Sequence, residues 1–412
     1  MSMQRLKPFL TQELENLRTS GRAKGRESII TRIIPAEGEQ GPRYLVAGRG
    51  DQQYIKMNSN SYLGLSFHPE MIAAEEKAVQ EYGVGPGAVR FISGTHAPHR
   101  ELEKRLARFH SREDAMIFSA AYVTVVGVLS SLISADTVVI SDELNHNCII
   151  NAIKLSRPAD KKVYKHNDMA GLQQALGDAV GKGKRVLVVT DGIFSMRGDY
   201  APLDQVCALA KQYDDQFEQG VLVVVDDSHG VGAFGATGRG TVEYTQAEGV
   251  DVLIGTLGKA FGVNGGYVTG DQTLITYLRE HAITYIYSNP ITVAEAVCAH
   301  TALDILDSDW GQKRLDHLRA MTKKFEDGIV SLGCETISSE HPVVPLVVRD
   351  TQKTRELGAY LFEHGVLATG LNYPVVPEGS QSIRFQVNAD HTPRDIDAVL
   401  GVLAAYQKTV SF

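Results

Sequence analysis

The chain has 412 residues, of which 43% are hydrophobic, with a formal net charge of -8 and a pI near 5.9. That length suits one large domain plus a smaller one, and the acidic balance provides no basic footprint for nucleic acid. Cys148, Cys207, Cys298 and Cys334 are scattered without a CxxC pair. They read as the reduced thiols of a cytoplasmic protein and exclude a disulfide or zinc scaffold. No apolar run approaches the ~18 residues of a membrane span, and the polar N-terminus lacks a signal peptide's apolar core.

Residues 4–20 predict an amphipathic helix with Leu6, Leu10, Leu14 and Leu17 on one face. Residues 26–56 hold short strand-like runs, Ile29-Ile30 and Tyr44-Leu45-Val46, broken by Gly and Pro into a small β element. Residues 58–65 read as a loop. Between residues 70 and 290, helical patterns alternate with apolar strand candidates at 115–118, 137–140, 185–190, 221–225, 252–254 and 266–269. That alternation predicts a mainly parallel α/β sheet with helical crossovers. A long helix is expected from residue 291, then strands at 343–348 and 382–385 and helices near 353–364 and 393–407, a smaller α+β domain. The expected division is 1–60 (helix and β element), 61–290 (large domain) and 291–412 (small domain).

The chemistry concentrates at the ends of the predicted strands, where ligands of parallel sheets collect. Thr256-Leu257-Gly258-Lys259-Ala260-Phe261-Gly262 places a lysine in a small turn after Val252-Leu253-Ile254. An apolar surround favours the neutral amine and suits Schiff-base formation. Asp226, after the run Val221–Val225, is placed to face a pyridine nitrogen, keep it protonated and let the ring act as an electron sink, which pyridoxal 5'-phosphate (PLP) requires. His229 is within reach of that ring's hydroxyl. Phe118-Ser119-Ala120-Ala121-Tyr122 turns from a strand into a helical pattern, a place for a phosphate on backbone N–H groups. Thr256 and Ser288 offer hydroxyls for the same phosphate. His146 follows a strand and can stack on the ring, although a lone histidine there is more often structural. Ser195 follows another strand as a hydrogen-bonding group. Arg384, on an apolar strand, needs an anionic partner, either a substrate carboxylate or an internal salt bridge.

Taken together, Asn60-Ser61-Tyr62-Leu63-Gly64-Leu65, Gly94-Thr95 with His99-Arg100-Glu101-Leu102-Glu103, Asp142 to His146, Thr190 to Met196, Asp226-Asp227-Ser228-His229 and Thr256-Leu257-Gly258-Lys259 resemble the α-oxoamine synthase family over almost the whole chain. The resemblance implies a fold-type I PLP enzyme and a homodimer with active sites at the subunit interface. By it, Lys259 is the Schiff-base lysine and Asp226 the pyridinium partner. His229 and Ser195 flank the ring hydroxyl, and His146 stacks on the ring. Ala121 and Tyr122 amides and Thr256 hold the phosphate with Ser288 of the neighbouring subunit, and Asn60 and Arg384 hold a substrate carboxylate.

Two turns depart from the family pattern. Aromatic-x-Ala-Asn is replaced by Tyr122-Val123-Thr124-Val125, and His-x-Ser followed by Gly is replaced by His146-Asn147-Cys148 followed by Ala152. Loss of a polar group next to the substrate space would remove recognition built on it. The expectation drawn from these departures is a PLP-dependent transaminase in which Lys259 returns the proton to the cofactor. It resembles a transaminase subgroup that moves an amino group from glutamate to the aldehyde of a sugar acid, 8-oxo-3-deoxy-manno-octulosonate, for lipopolysaccharide sugar synthesis. The alternative is an acyl-CoA:amino acid C-acyltransferase, the reaction of the family at large.

Overall fold

A computed structural model of the chain describes residues 2–20, 22–23 and 27–409. It contains two compact units, one made of residues 60–322 with 339–342, the other of residues up to 59 with 323–338 and 343 onward.

The larger unit is built on a seven-stranded sheet in the order Asp114–Phe118, Gly266–Gly270, Val252–Thr256, Val221–Asp226, Arg185–Asp191, Thr137–Asp142, Asp160–Tyr164. All neighbours pair in parallel except Gly266–Gly270, which is antiparallel to both of its own. Successive side chains leave a strand on opposite faces, and here both faces are dry. Leu187, Val189, Val224, Val252 and Ile254 join one core with Val125, Leu129 and Ile149. Val186, Val188, Val223, Val225 and Leu253 join another with Leu172 and Val206. Burial on both sides is why these strands are continuous apolar runs in the sequence, without polar alternation.

The strand Asp160–Tyr164 is not among those predicted from the sequence. Its residues Asp160, Lys161 and Lys162 are those of a solvated edge, and among the described residues its only ladder is with Thr137–Asp142. The single long helix expected from residue 291 is two helices, Val293–Leu306 and Asp309–Ser331. Gly311 closes the break, because a Cβ there would meet the Ile305 carbonyl oxygen at 2.3 Å.

The smaller unit carries the helix Ser2–Thr19, none of whose residues is buried within this chain. It also carries a four-stranded sheet, Ile30–Ile34, Arg43–Val46, Gln53–Lys56 and Val366–Leu367, and a three-stranded sheet, Val343–Val347, Ser382–Gln386 and Thr369–Leu371. The helices Thr351–Glu363 and Pro393–Gln407 complete it, the second tied to the first sheet by the buried pair Asp395 and Arg43. Residue 26, the start of the expected β element, lies outside the described residues. Among the described residues no helix is long and apolar enough to cross a membrane.

Candidate active site

Four adjacent parallel strands of the large sheet end on polar residues: Asp142, Asp191, Asp226 and Thr256. Asp191 and Asp226 are register partners, so their side chains leave the same face side by side. At this carboxyl edge lies a pocket of about 360 Å³, open to solvent. Seven of the residues singled out from the sequence line it: Ala121, Tyr122, His146, Ser195, Asp226, His229 and Lys259. Cys148, singled out as an altered position, lines it as well, as do Asp191, Ile193 and Ser228, to which the sequence assigned no role.

The two carboxylates differ in environment. Asp226 Oδ1 accepts from the Ser228 hydroxyl at 2.6 Å and the Ser228 N–H at 3.2 Å, and Cys148 Sγ lies 3.6 Å from Oδ2. Asp191 Oδ2 accepts from the His146 N–H at 2.9 Å. Burial, and then the charge of Asp226, push Asp191 well above the ordinary carboxylate range. Two like charges buried side by side resist joint ionisation, which favours the protonated form of Asp191. The Cys148 thiol is likewise pushed far up, by burial and then by the charge of Asp226, and is not a thiolate.

His146 caps the helix Asn147–Leu155, its Nδ1 accepting from the Cys148 N–H at 3.3 Å. Its exposed ring meets that of Tyr122 edge-on, 6.4 Å between centroids. On the other side of the pocket, His229 Nδ1 is 2.7 Å from the Tyr62 hydroxyl, and Asn60 Oδ1 lies 3.5 Å from that same hydroxyl. Asn60 therefore reaches the pocket wall through Tyr62. Tyr62 is fully buried and holds φ at 27°, a strained value for a residue with a Cβ.

Lys259 is presented by a turn that its neighbours anchor. Leu257, Ala260 and Phe261 are fully buried, the Gly262 N–H donates to the Lys259 carbonyl at 3.0 Å, and Gly262 takes φ 73°. Thr256, just before the turn, accepts from the Gly258 N–H and donates to the Gly265 carbonyl, both at 3.1 Å. It supports the turn and does not itself line the pocket. The helix Ala121–Leu132 starts at the pocket with Ala120 as its N-cap and no side chain capping it. Its first-turn N–H groups, at Ala121 and Tyr122, form a site for an anion.

Ser288 follows the helix Ile283–Ile286 and is not among the lining residues of this pocket. Arg384 belongs to the smaller unit, in the strand Ser382–Gln386. There the Gln386 amide oxygen accepts from Arg384 Nε at 2.7 Å and Nη2 at 3.0 Å.

The donor set fits PLP. It offers an amine on a fixed turn, a carboxylate at a strand end, imidazoles on two sides, a hydroxyl at Ser195 and an uncapped helix start for phosphate.

The family model for aminotransferase class I and II matches residues 52–403. The 8-amino-7-oxononanoate synthase 1 of Bacillus velezensis is 38% identical over 401 residues, covering 97% of this chain and 97% of that protein. The mitochondrial 2-amino-3-ketobutyrate coenzyme A ligase of Bos taurus is 39% identical over 398 residues, covering 96% of this chain and 91% of that protein. Among solved structures, a serine palmitoyltransferase from S. paucimobilis with a bound PLP–myriocin aldimine superposes with a TM-score of 0.87 at 25% identity, covering 99% of this chain and 98% of that one.

These relatives overturn the expectation of a transaminase that moves an amino group from glutamate to a sugar acid, and with it the link to lipopolysaccharide synthesis. Of the altered positions, Cys148 lines the pocket. Val125 and Ala152 are fully buried in the core beneath the sheet's first face, away from the pocket. Exchanging residues there changes core packing and says nothing about which substrate enters.

Proposed function

The chain belongs to the class I and II aminotransferase family of fold-type I, PLP-dependent transferases, and we propose that within this family it is an acyltransferase joining the α-carbon of an amino acid to the acyl group of a thioester such as an acyl-CoA. The observation that carries this reading is the chemistry shared by two relatives matched over nine-tenths or more of their length. The product each is named for, an 8-amino-7-oxo acid and a 2-amino-3-keto acid, has an amine-bearing carbon next to a ketone. Joining an amino acid's Cα to an acyl carbon makes that unit.

When bound, PLP supplies an aldehyde that condenses with amines and a ring that takes up the electron pair left when a proton leaves the amine-bearing carbon. The chain's residues are assigned around it. Asp226 holds the proton on the ring nitrogen, and Lys259 Nζ takes the proton from the substrate's Cα. His146 covers the ring face and keeps water from it. Ser195 and His229 bond the ring hydroxyl. The Ala121 and Tyr122 N–H groups hold the phosphate, and Thr256 is assigned to it as a donor whose hydroxyl turns from the Gly265 carbonyl. Ser288 is assigned to the phosphate of a second copy's site in a homodimer. Asn60 is assigned to the amino acid's carboxylate, and Arg384 is retained for the same group on its charge.

The test is thiol release. Purified holoenzyme is given glycine, alanine or serine with acyl-CoA substrates of graded chain length. The reading predicts free CoA that appears only when an amino acid is present. Absence of amino-acid-dependent thiol release from every pairing would contradict it.

A further inference from the structure

One wall of the pocket is a short hairpin. Ile193 and Tyr200 pair across it, the Phe194 N–H donates to the Asp199 carbonyl at 2.9 Å, and the Gly198 N–H donates to the Phe194 carbonyl at 2.9 Å. Ile193 and Ser195 are its pocket-lining residues. From behind, the hairpin meets His166, which follows the edge strand Asp160–Tyr164. His166 Nδ1 lies 3.2 Å from Asp142 Oδ1 at a strand end, and Nε2 lies 3.2 Å from Asp199 Oδ2 on the hairpin. The Phe194 ring stands edge-on against the imidazole at 4.4 Å.

A neutral imidazole carries one N–H. With a carboxylate at each ring nitrogen, both nitrogens can donate only when the ring is an imidazolium. The other charged groups here are accounted for. Asp199 Oδ2 also accepts from Arg197 Nε at 2.7 Å, Glu143 pairs with Lys165 and accepts from the His166 N–H at 3.1 Å, and Asp142 Oδ2 accepts from the Asn167 N–H at 2.9 Å. The Asn167 amide nitrogen lies 3.4 Å from His166 Nε2 and donates to the Tyr200 carbonyl at 3.0 Å, a second tie to the hairpin.

We propose that His166 is a positioning residue: clamped as an imidazolium between Asp142 and Asp199, it holds the 193–200 hairpin against the strand ends and so fixes the place of Ser195 in the pocket. Burial by itself would drive the proton off this ring, but the hydrogen bonds to Asp142 and Asp199 outweigh burial and raise its pKa to about 9. The clamp is closed at neutral pH and loosens as the pH rises through that value. This inference rests on the assignment of Ser195 to the cofactor's ring hydroxyl.

Hydrogen exchange on the holoenzyme tests it, read as protection factors across residues 192–200 between pH 7 and pH 10, for the wild type and His166→Gln. The expected wild-type result is a fall of about tenfold or more in protection of this segment as the ring loses its proton, with the strand Val221–Asp226 unchanged. The variant is expected to show the low value already at pH 7, without the pH dependence, and to bind PLP about tenfold more weakly. Adding Ser195→Ala to the variant should weaken PLP binding no further. Wild-type protection that is flat with pH, or lost equally across the whole sheet, overturns the proposal. So does full additivity of the two substitutions. Should His166→Gln not fold, the wild-type pH series alone decides. None of these readouts depends on acyl transfer, so failure of the proposed reaction would leave them standing.

Discussion

Two aspartates one strand apart occupy the same pocket in different surroundings. Burial beside Asp226 favours the protonated form of Asp191, so an amide should replace it well. Asp191→Asn is expected to retain thiol release within about tenfold, whereas Asp226→Asn should lower kcat/KM by roughly 10²-fold or more and weaken PLP binding. Steady-state kinetics on both variants, with PLP absorbance, decides. Equal losses would mean that the pair does not divide its roles this way. Lys259→Ala should lose about 10³-fold or more in turnover and the absorbance of lysine-bound cofactor, and a variant that keeps both would remove Lys259 from the mechanism. That Lys259, Asp226 and His229 share one pocket was legible in the sequence because each follows a dense apolar run, and strand ends are where such sheets bind ligands. Asp191 follows an equally apolar run, yet which of two neighbouring carboxyls keeps its proton depends on burial in three dimensions. Val125 and Ala152 were misread for the same reason: their distance from the substrate space is a matter of packing that spacing along the chain does not carry.

At the scale of elements, the pocket depends on how closely a helix start can approach a strand. Gly266 begins the antiparallel strand Gly266–Gly270, and a Cβ on it would lie 2.5 Å from Ala121 Cα and 2.6 Å from Ala121 N. Neither backbone atom can give way alone. Gly266→Ala is therefore expected to displace the first turn of the helix Ala121–Leu132, cost about 1–3 kcal/mol in stability and raise the Kd for PLP more than for pyridoxal, which lacks the phosphate. Paired binding titrations check this, and an equal change for both ligands would detach this helix start from phosphate binding. The parallel strands and their helices were readable from apolar periodicity. The edge strand Asp160–Tyr164 was not, because a strand solvated along one side keeps charged residues that a pattern of burial does not flag.

Across the whole molecule, stability depends on pH through groups far from the chemistry. His110 Nε2 lies 2.8 Å from the Tyr267 hydroxyl and its ring stacks on that of Tyr267. Burial, then Arg112 and Arg239, push its pKa down to about 3. The folded state thus keeps His110 neutral while the unfolded chain protonates it below about pH 6.5. Its contribution is fully present above that value and is lost as the pH falls toward 3. Relative to His110→Gln, the wild type should lose about 1.4 kcal/mol per pH unit between about pH 6 and pH 4, measured by denaturant unfolding at stepped pH. A constant difference would show that His110 is not held neutral.

Whether this pocket joins an amino acid's α-carbon to an acyl group is decided by following the carbon itself. The holoenzyme is incubated with acyl-CoA and an amino acid carrying ¹³C at Cα, and products are read by mass spectrometry and ¹³C NMR. The expected product is an amino ketone in which the labelled carbon is bonded to the acyl carbonyl and keeps its nitrogen, formed in equal amount with free CoA. Label recovered only in unreacted amino acid, or in a keto acid with no CoA released, would contradict it.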